Sequence, residues 1–422
     1  MASPLRTHRR VLAASLVGTS VEFYDFYVYA TAAALVFGPL FFPSESAAAQ
    51  QLLSFMSLGL AFVARPVGAI AFGHFGDRLG RKSTLVASLL LMGISTLLIA
   101  FLPTYAMVGW VAPLLLCVLR FGQGFGLGGE WGGATLLAME NAPKGWEARF
   151  GSAPQFGAPV GFLAANGLFL LLGLGLTAED FLSWGWRVPF LLSAVLVVIG
   201  LWVRLRIAET PAFREALAQA PPPAVPLGTL VRFHWGAVLS GTAGAVAAFA
   251  IFYLSTAFAL GHLTTERGES RETVLSLQLA ANLFLALGIA LAAVGSDRFG
   301  ARRVLGWGAV ATVLLGFLFG PAIAAGSLPT VFATLALALF VLGFVYGPLG
   351  GWMPTLFPVT VRYTGISVAF NGGGVIGGAL APIAAQMFSN AGGASLVGLF
   401  LSAAGLVTWV GIACGRPRPA TG

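Results

Sequence analysis

Five ionisable residues stand inside long apolar runs: Glu22, Asp25, Arg65, Arg120 and Glu130. A charge at membrane depth is costly, so such residues normally pair with one another or line a pathway. Glu22 and Asp25 are three positions apart and share a helix face. Three acids against two arginines leave one uncompensated negative charge, which favours one acid holding a proton. Guanidinium groups grip carboxylates through paired hydrogen bonds. The set therefore fits a site that loads a proton and a small organic anion on the same state. In that reading Asp25 is the main proton carrier, Glu22 and Glu130 are relay or pairing groups, and Arg65 and Arg120 are anion grips. The competing reading is a set of ion pairs that only holds the N-terminal half together.

Polar and aromatic residues in the same runs extend this set. Tyr29, Gln123, Trp131, Asn166, Tyr253, Asn282, Tyr346 and Asn371 would suit a small polar ligand if they face one cavity. Each of them could equally satisfy a local hydrogen bond. Other chemistries find no support. Gly124, Gly126 and Gly129 match G-x-G-x-x-G, but no strand precedes them, so close helix packing is the better reading. No phosphate-binding G-x-x-x-x-G-K-[ST] loop is present. His8, His74, His234 and His262 form no metal or catalytic spacing, and Cys117 and Cys414 suggest neither disulfide nor metal. Neither an enzyme nor a cofactor is expected, and the proton is the expected coupling ion.

The elements that must position these residues follow from composition. The 422 residues are 58% hydrophobic and 9% charged, with a mean hydropathy of +0.89. That is too little charge for a water-facing surface. An all-α integral membrane protein follows, built from glycine-rich, closely packed helices. Twelve apolar runs are long enough to span a bilayer. They cover roughly 11–37, 52–74, 84–102, 107–139, 150–174, 187–204, 233–261, 273–294, 304–323, 329–350, 363–388 and 394–414. With both termini placed in the cytoplasm, 18 of the 23 Lys and Arg fall on that side and three on the other. This bias sets the orientation and accounts for the net charge of +8 without a nucleic-acid partner. The Pro-rich stretch 205–232 divides the spans six and six, giving bundles at 1–204 and 233–422 joined by a linker.

The halves repeat one another. Asp77-Arg78-Leu79-Gly80-Arg81-Lys82 follows the second span, and Asp297-Arg298-Phe299-Gly300-Ala301-Arg302 follows the eighth. Two pseudo-repeated six-helix bundles are a transporter architecture. The repeated Asp–Arg pair reads as a latch formed by Asp77, Arg78, Gly80, Arg81, Asp297 and Arg298. A plain topology signal is the alternative.

These motifs carry a resemblance. Gly73 to Lys82 resembles the G-x-x-x-D-R-x-G-R-[KR] signature of the major facilitator superfamily, and Arg120-Phe-Gly-Gln123-Gly124 resembles its R-x-x-Q-G motif. Val21 to Phe26, Ala64 to Gly68, Gly128-Gly129-Glu130 and Trp184 to Phe190 are similar to the metabolite:H⁺ symporters. That family includes transporters of shikimate, α-ketoglutarate, citrate and proline/betaine. The resemblance implies that superfamily's fold and proton symport of a mono- or dicarboxylate by alternating access. It also implies a monomer in a bacterial inner membrane, in contact with lipid, protons and an organic acid. A zwitterionic osmolyte is the second substrate reading, and a drug:H⁺ antiporter fits less well. Two departures matter. Ala301 replaces a basic residue in the second loop, and the printed chain ends at Gly422 without the C-terminal coiled coil of the osmosensors.

Overall fold

A computed structural model describes residues 9–44, 47–79, 81–205 and 226–415. Among them the chain is helical, in twelve successive long segments. The N-terminal half contains α1 (Arg9–Ala32), α2 (Ala47–Leu79), α3 (Arg81–Ile99), α4 (Val111–Glu140), α5 (Gly157–Gly175) and α6 (Arg187–Leu205). The C-terminal half contains α7 (Pro226–Tyr253), α8 (Arg271–Phe299), α9 (Ala301–Ala325), α10 (Leu328–Tyr346), α11 (Arg362–Gly374) and α12 (Ala394–Cys414). Nine described helices are long and apolar enough to cross a membrane, or ten if the bent pair ending in α6 is one span. The first and eleventh segments complete the twelve. The expected linker 205–232 lies mostly outside the described residues, and α7 already begins at Pro226.

Several segments are interrupted where a helix must bend. Segment one runs on from α1 through a π-turn at Ala33–Phe37, and segment seven from α7 through one at Leu254–Phe258. Segment eleven has one at Val375–Ala379, directly before the helical run Leu380–Gly392 that holds Pro382. A 3₁₀ turn at Ala153–Phe156 precedes α5 and Pro159. Such turns free carbonyls that lipid cannot satisfy. Side chains take them instead: Ser54 donates to Ala33 O at 2.6 Å, and Gln278 to Ser255 O and Thr256 O at 3.1 and 2.8 Å.

Glycine sets the spacing of α4 against two neighbours. A Cβ on Gly124 or Gly128 would strike the backbone of α2 at Ala61 or Arg65, and one on Gly126 would strike α3 at Ser88. No larger residue fits at such approaches.

The end of the bundle that carries Arg9, the loops after α2 and α8, and Cys414 is called the basic end. There the halves are joined by polar contacts. Asp77, at the end of α2, accepts from Tyr363 N at 3.3 Å, Thr364 N at 3.0 Å and Thr364 Oγ1 at 2.6 Å. Asp297, at the end of α8, accepts from Ala148 N at 3.0 Å and pairs with Arg149 at 2.7 Å. Each aspartate thus meets unpaired N–H groups at a helix start in the opposite half, where the helix dipole favours an anion. Arg362 adds a 3.5 Å ion pair to Glu140. Ser152 donates to Gly347 O at 2.8 Å, and beside it the backbones of Gly151 and Gly350 meet directly.

The remaining latch residues are placed differently. Arg78 turns back to His74 Nε2 at 3.3 Å on its own helix, and Arg298 is exposed. Gly80 and the Arg81 side chain lie outside the described residues.

Candidate transport site

Between the halves lies a cavity. Its wall combines segments from both halves. Glu22, Phe23, Phe26 and Tyr27 come from α1, Arg65 from α2, and Phe249, Phe252 and Tyr253 from α7. Leu285, Leu342, Tyr346 and Phe370 complete much of the C-terminal side. An F-x-x-F-Y pattern at Phe23, Phe26 and Tyr27 recurs at Phe249, Phe252 and Tyr253. Helical spacing puts each triplet on one face. The two faces meet across the cavity: Tyr27 stacks on Phe252 at 5.4 Å, and Phe26 meets Tyr253 edge-on at 6.2 Å.

Arg65 is a buried cation on this wall. Its guanidinium lies 4.6 Å from the Phe26 ring centre and 4.9 Å from that of Phe62. Rings hold a cation without neutralising it. Arg65 Nε is buried and makes no hydrogen bond among the described residues.

Arg120 does not reach the wall. It lies 5.0 Å from the Phe26 ring centre and 3.9 Å over Tyr29. Phe26 therefore touches two guanidinium groups, one on the cavity wall and one off it. From Arg120 a chain of hydrogen bonds runs deeper into the N-terminal half. Arg120 Nη1 donates to Gln123 Oε1 at 3.1 Å, Gln123 Nε2 to Thr96 Oγ1 at 2.6 Å, and Thr96 Oγ1 to Asp25 Oδ2 at 3.1 Å. Ser193 from α6 donates to the other Asp25 oxygen. Asp25 is 1% exposed and does not line the cavity; this chain joins it to Arg120. Arg120 Nε and Nη2 make no hydrogen bond among the described residues.

The other predicted site residues divide by contact. Glu22, Tyr253 and Tyr346 line the cavity with Arg65. Glu130 accepts from Ser88 at 2.7 Å within the N-terminal half. Tyr29 pairs with Ser57 at 2.8 Å, and Asn166 accepts from Thr31 at 2.6 Å. Asn282 donates to Pro159 O at 2.9 Å and Asn371 to Gly128 O at 2.9 Å, both across the halves. Trp131 donates to Gln155 at 2.8 Å and stacks flat on Phe370, with ring centres 3.7 Å apart. Phe370 lines the cavity, so this stack backs part of its wall. The phenylalanines of the wall and the partners of Asp25, Thr96 and Ser193, were not singled out in the sequence. The repeated F-x-x-F-Y was the signal available for the first group.

The chain is similar to known proteins in sequence and in fold. Residues 11–217 match the family model for sugar (and other) transporters. The chain is 46% identical to the inner membrane metabolite transport protein YhjE of Escherichia coli K12, covering 97% of this chain and 94% of that one. It is 40% identical to the E. coli K12 shikimate transporter over 95% of this chain and 92% of that one. Among solved structures, the E. coli proton:xylose symporter XylE bound to 6-bromo-6-deoxy-D-glucose aligns with a TM-score of 0.78. That alignment has 16% identity and covers 95% of this chain and 94% of that one. The chain belongs to the major facilitator superfamily, a family of membrane transporters rather than enzymes. Within it, this protein is a multi-pass metabolite transporter.

Proposed function

We propose that this protein is a proton-coupled symporter of a small organic anion, working by alternating access in a bacterial inner membrane with its basic end in the cytoplasm. The observation that carries this reading is the pairing of Arg65 on the cavity wall with Arg120 off it, both against the Phe26 ring. An arriving carboxylate neutralises Arg65 first. The positive field reaching Asp25 through Arg120, Gln123 and Thr96 then falls, and protonation of Asp25 becomes more favourable. Anion and proton load together, which is symport. This differs from a direct grip by both arginines: Arg65 binds, and Arg120 transmits. The contacts of Asp77 and Asp297 hold the cytoplasmic end closed while the site is loaded.

A second reading draws on a specific feature of the wall. An aromatic lining with one cation and one acid also suits a zwitterion, whose quaternary ammonium would sit among rings. Reconstitution in proteoliposomes separates the two. Uptake of shikimate driven by an inward proton gradient, with external alkalinisation, is expected. Accumulation of glycine betaine but no organic acid would replace the first reading by the second. Accumulation without alkalinisation would remove proton coupling.

A further inference from the structure

We infer that the turn between α8 and α9 binds an anionic phospholipid, with its phosphate at Arg298 and Arg303 and its acyl chains along the two helices. This lies beyond transport and does not depend on what the cavity carries. Several cations of the basic end have protein partners. Arg149 pairs with Asp297, and Arg362 with Glu140. Arg302 donates to Ile412 O and Ala413 O at 3.1 and 2.7 Å, and Lys82 to Leu205 O at 2.8 Å. Arg298 and Arg303 differ: both are exposed and make no hydrogen bond or ion pair among the described residues. They flank Gly300, whose φ of +89° makes the sharp turn that joins the two helix ends. The start of α9 also lacks an anion. Its cap is Gly300, no side chain accepts there, and its first turn has no acid. Asp297, the acid nearest in sequence, is held by Ala148 and Arg149 of the other half. Two free guanidinium groups beside an uncapped helix start suit a phosphate.

The surface below each arginine says that the phosphate belongs to a lipid. Stepping back from Arg298 by four, three and four residues reaches Val294, Leu291 and Leu287, all exposed. Stepping on from Arg303 by four, three and four reaches Trp307, Val310 and Leu314, also exposed. Such steps keep to one helix face, so each arginine heads an apolar stripe. The helices touch beside the arginines, where the half-exposed rings of Phe299 and Trp307 lie 5.5 Å apart. An indole at that depth matches the boundary between headgroups and chains. Charge and apolar surface are thus arranged in the order of a phospholipid, headgroup outermost. Basic pockets at the cytoplasmic ends of helices hold anionic headgroups in this way. A free phosphate would use the arginines and leave the stripes idle, and a topology signal would need the charges alone.

The test is native mass spectrometry of the purified, delipidated full-length protein, titrated with cardiolipin, phosphatidylglycerol or phosphatidylcholine in non-ionic detergent. Both anionic lipids should bind at least about tenfold more tightly than phosphatidylcholine. The double variant Arg298→Gln with Arg303→Gln should bring them down to the phosphatidylcholine level. Lys144→Gln removes another exposed cation of the same end and should leave anionic-lipid binding as it was. Trp307→Ala, which keeps every charge, should weaken it. Melting temperatures identify a variant that fails to fold, and the wild-type lipid series stands without the variants. Equal binding of the three lipids by the wild type overturns the inference. So does anionic-lipid binding that survives the double variant, or that falls as far with Lys144→Gln. Displacement of the lipid by excess glycerol 3-phosphate would overturn it too, since the headgroup alone would then suffice.

Discussion

The two halves share one architecture but not one chemistry. All five deep ionisable groups, Glu22, Asp25, Arg65, Arg120 and Glu130, belong to the N-terminal half. The facing half contributes rings, aliphatic side chains and amides: Phe249, Phe252, Tyr253, Leu285, Leu342 and Phe370, with Asn282 and Asn371 bound to carbonyls across the interface. A charged network needs fixed partners in a low-dielectric setting, and α1, α3, α4 and α6 supply them within one rigid bundle. A half without deep charges can slide against it without stranding an ion. Under the proposed symport, this division would put energy coupling in one half and leave the other to shape the cavity.

The sharpest way to break this division is Asp25→Asn. Proton-driven accumulation should fall to background, while exchange of internal for external substrate persists, because exchange needs no net change in protonation. Continued accumulation with alkalinisation in proteoliposomes would place the proton elsewhere, with Glu130 the next acid to test.

The two arginines sharpen the comparison within the N-terminal half. Arg65→Ala should weaken substrate binding about 10- to 100-fold, the loss expected for charge-assisted hydrogen bonds. Arg120→Ala should leave affinity within about threefold while reducing the proton dependence of uptake. Equal losses of affinity in the two variants, measured by titration, would mean that Arg120 also meets the ligand.

Asp77→Asn tests the contact between the halves. Removing the charge weakens its hold on the start of α11 and should shift the population toward an inward-open state by about 1–3 kcal/mol. Cysteines placed along the cavity should then label faster from the cytoplasmic side. Unchanged labelling with normal transport would reduce the motif to a topology signal. The smallest effect is expected in the C-terminal half: Asn282→Ala should lower the uptake rate by less than about fivefold, the cost of one interhelical hydrogen bond. Loss of proton coupling in this variant would end the proposed division of labour.

Much of the fold was legible because bilayer thickness imposes it. Twelve apolar runs became twelve helical segments, and the four-residue glycine spacing in α4 became its contact surfaces with α2 and α3. The site was legible in depth but not in direction. Arg65 and Arg120 both lie far from the ends of their helices, yet only Arg65 faces the cavity. Which face a helix presents depends on its rotation against neighbours, and the apolar residues around both arginines do not reveal it. The same limit applies to the polar residues. Asn166, Tyr29 and Gln123 satisfy partners inside their own half, because a buried amide or hydroxyl needs a partner whether or not a ligand exists. The wall itself was obscured for the opposite reason: phenylalanines in a membrane protein look like lipid-facing or packing residues until two matching triplets are seen to meet.

The direct backbone contact of Gly151 with Gly350 has a mechanical consequence. A Cβ placed on Gly350 would come within 2.0 Å of the Gly151 carbonyl oxygen. One added methyl there would act as a wedge, holding the basic ends of the two halves apart while leaving the cavity wall untouched. Gly350→Ala therefore offers a handle for trapping the inward-facing form. At this point the halves meet so closely because neither residue has a side chain to get in the way.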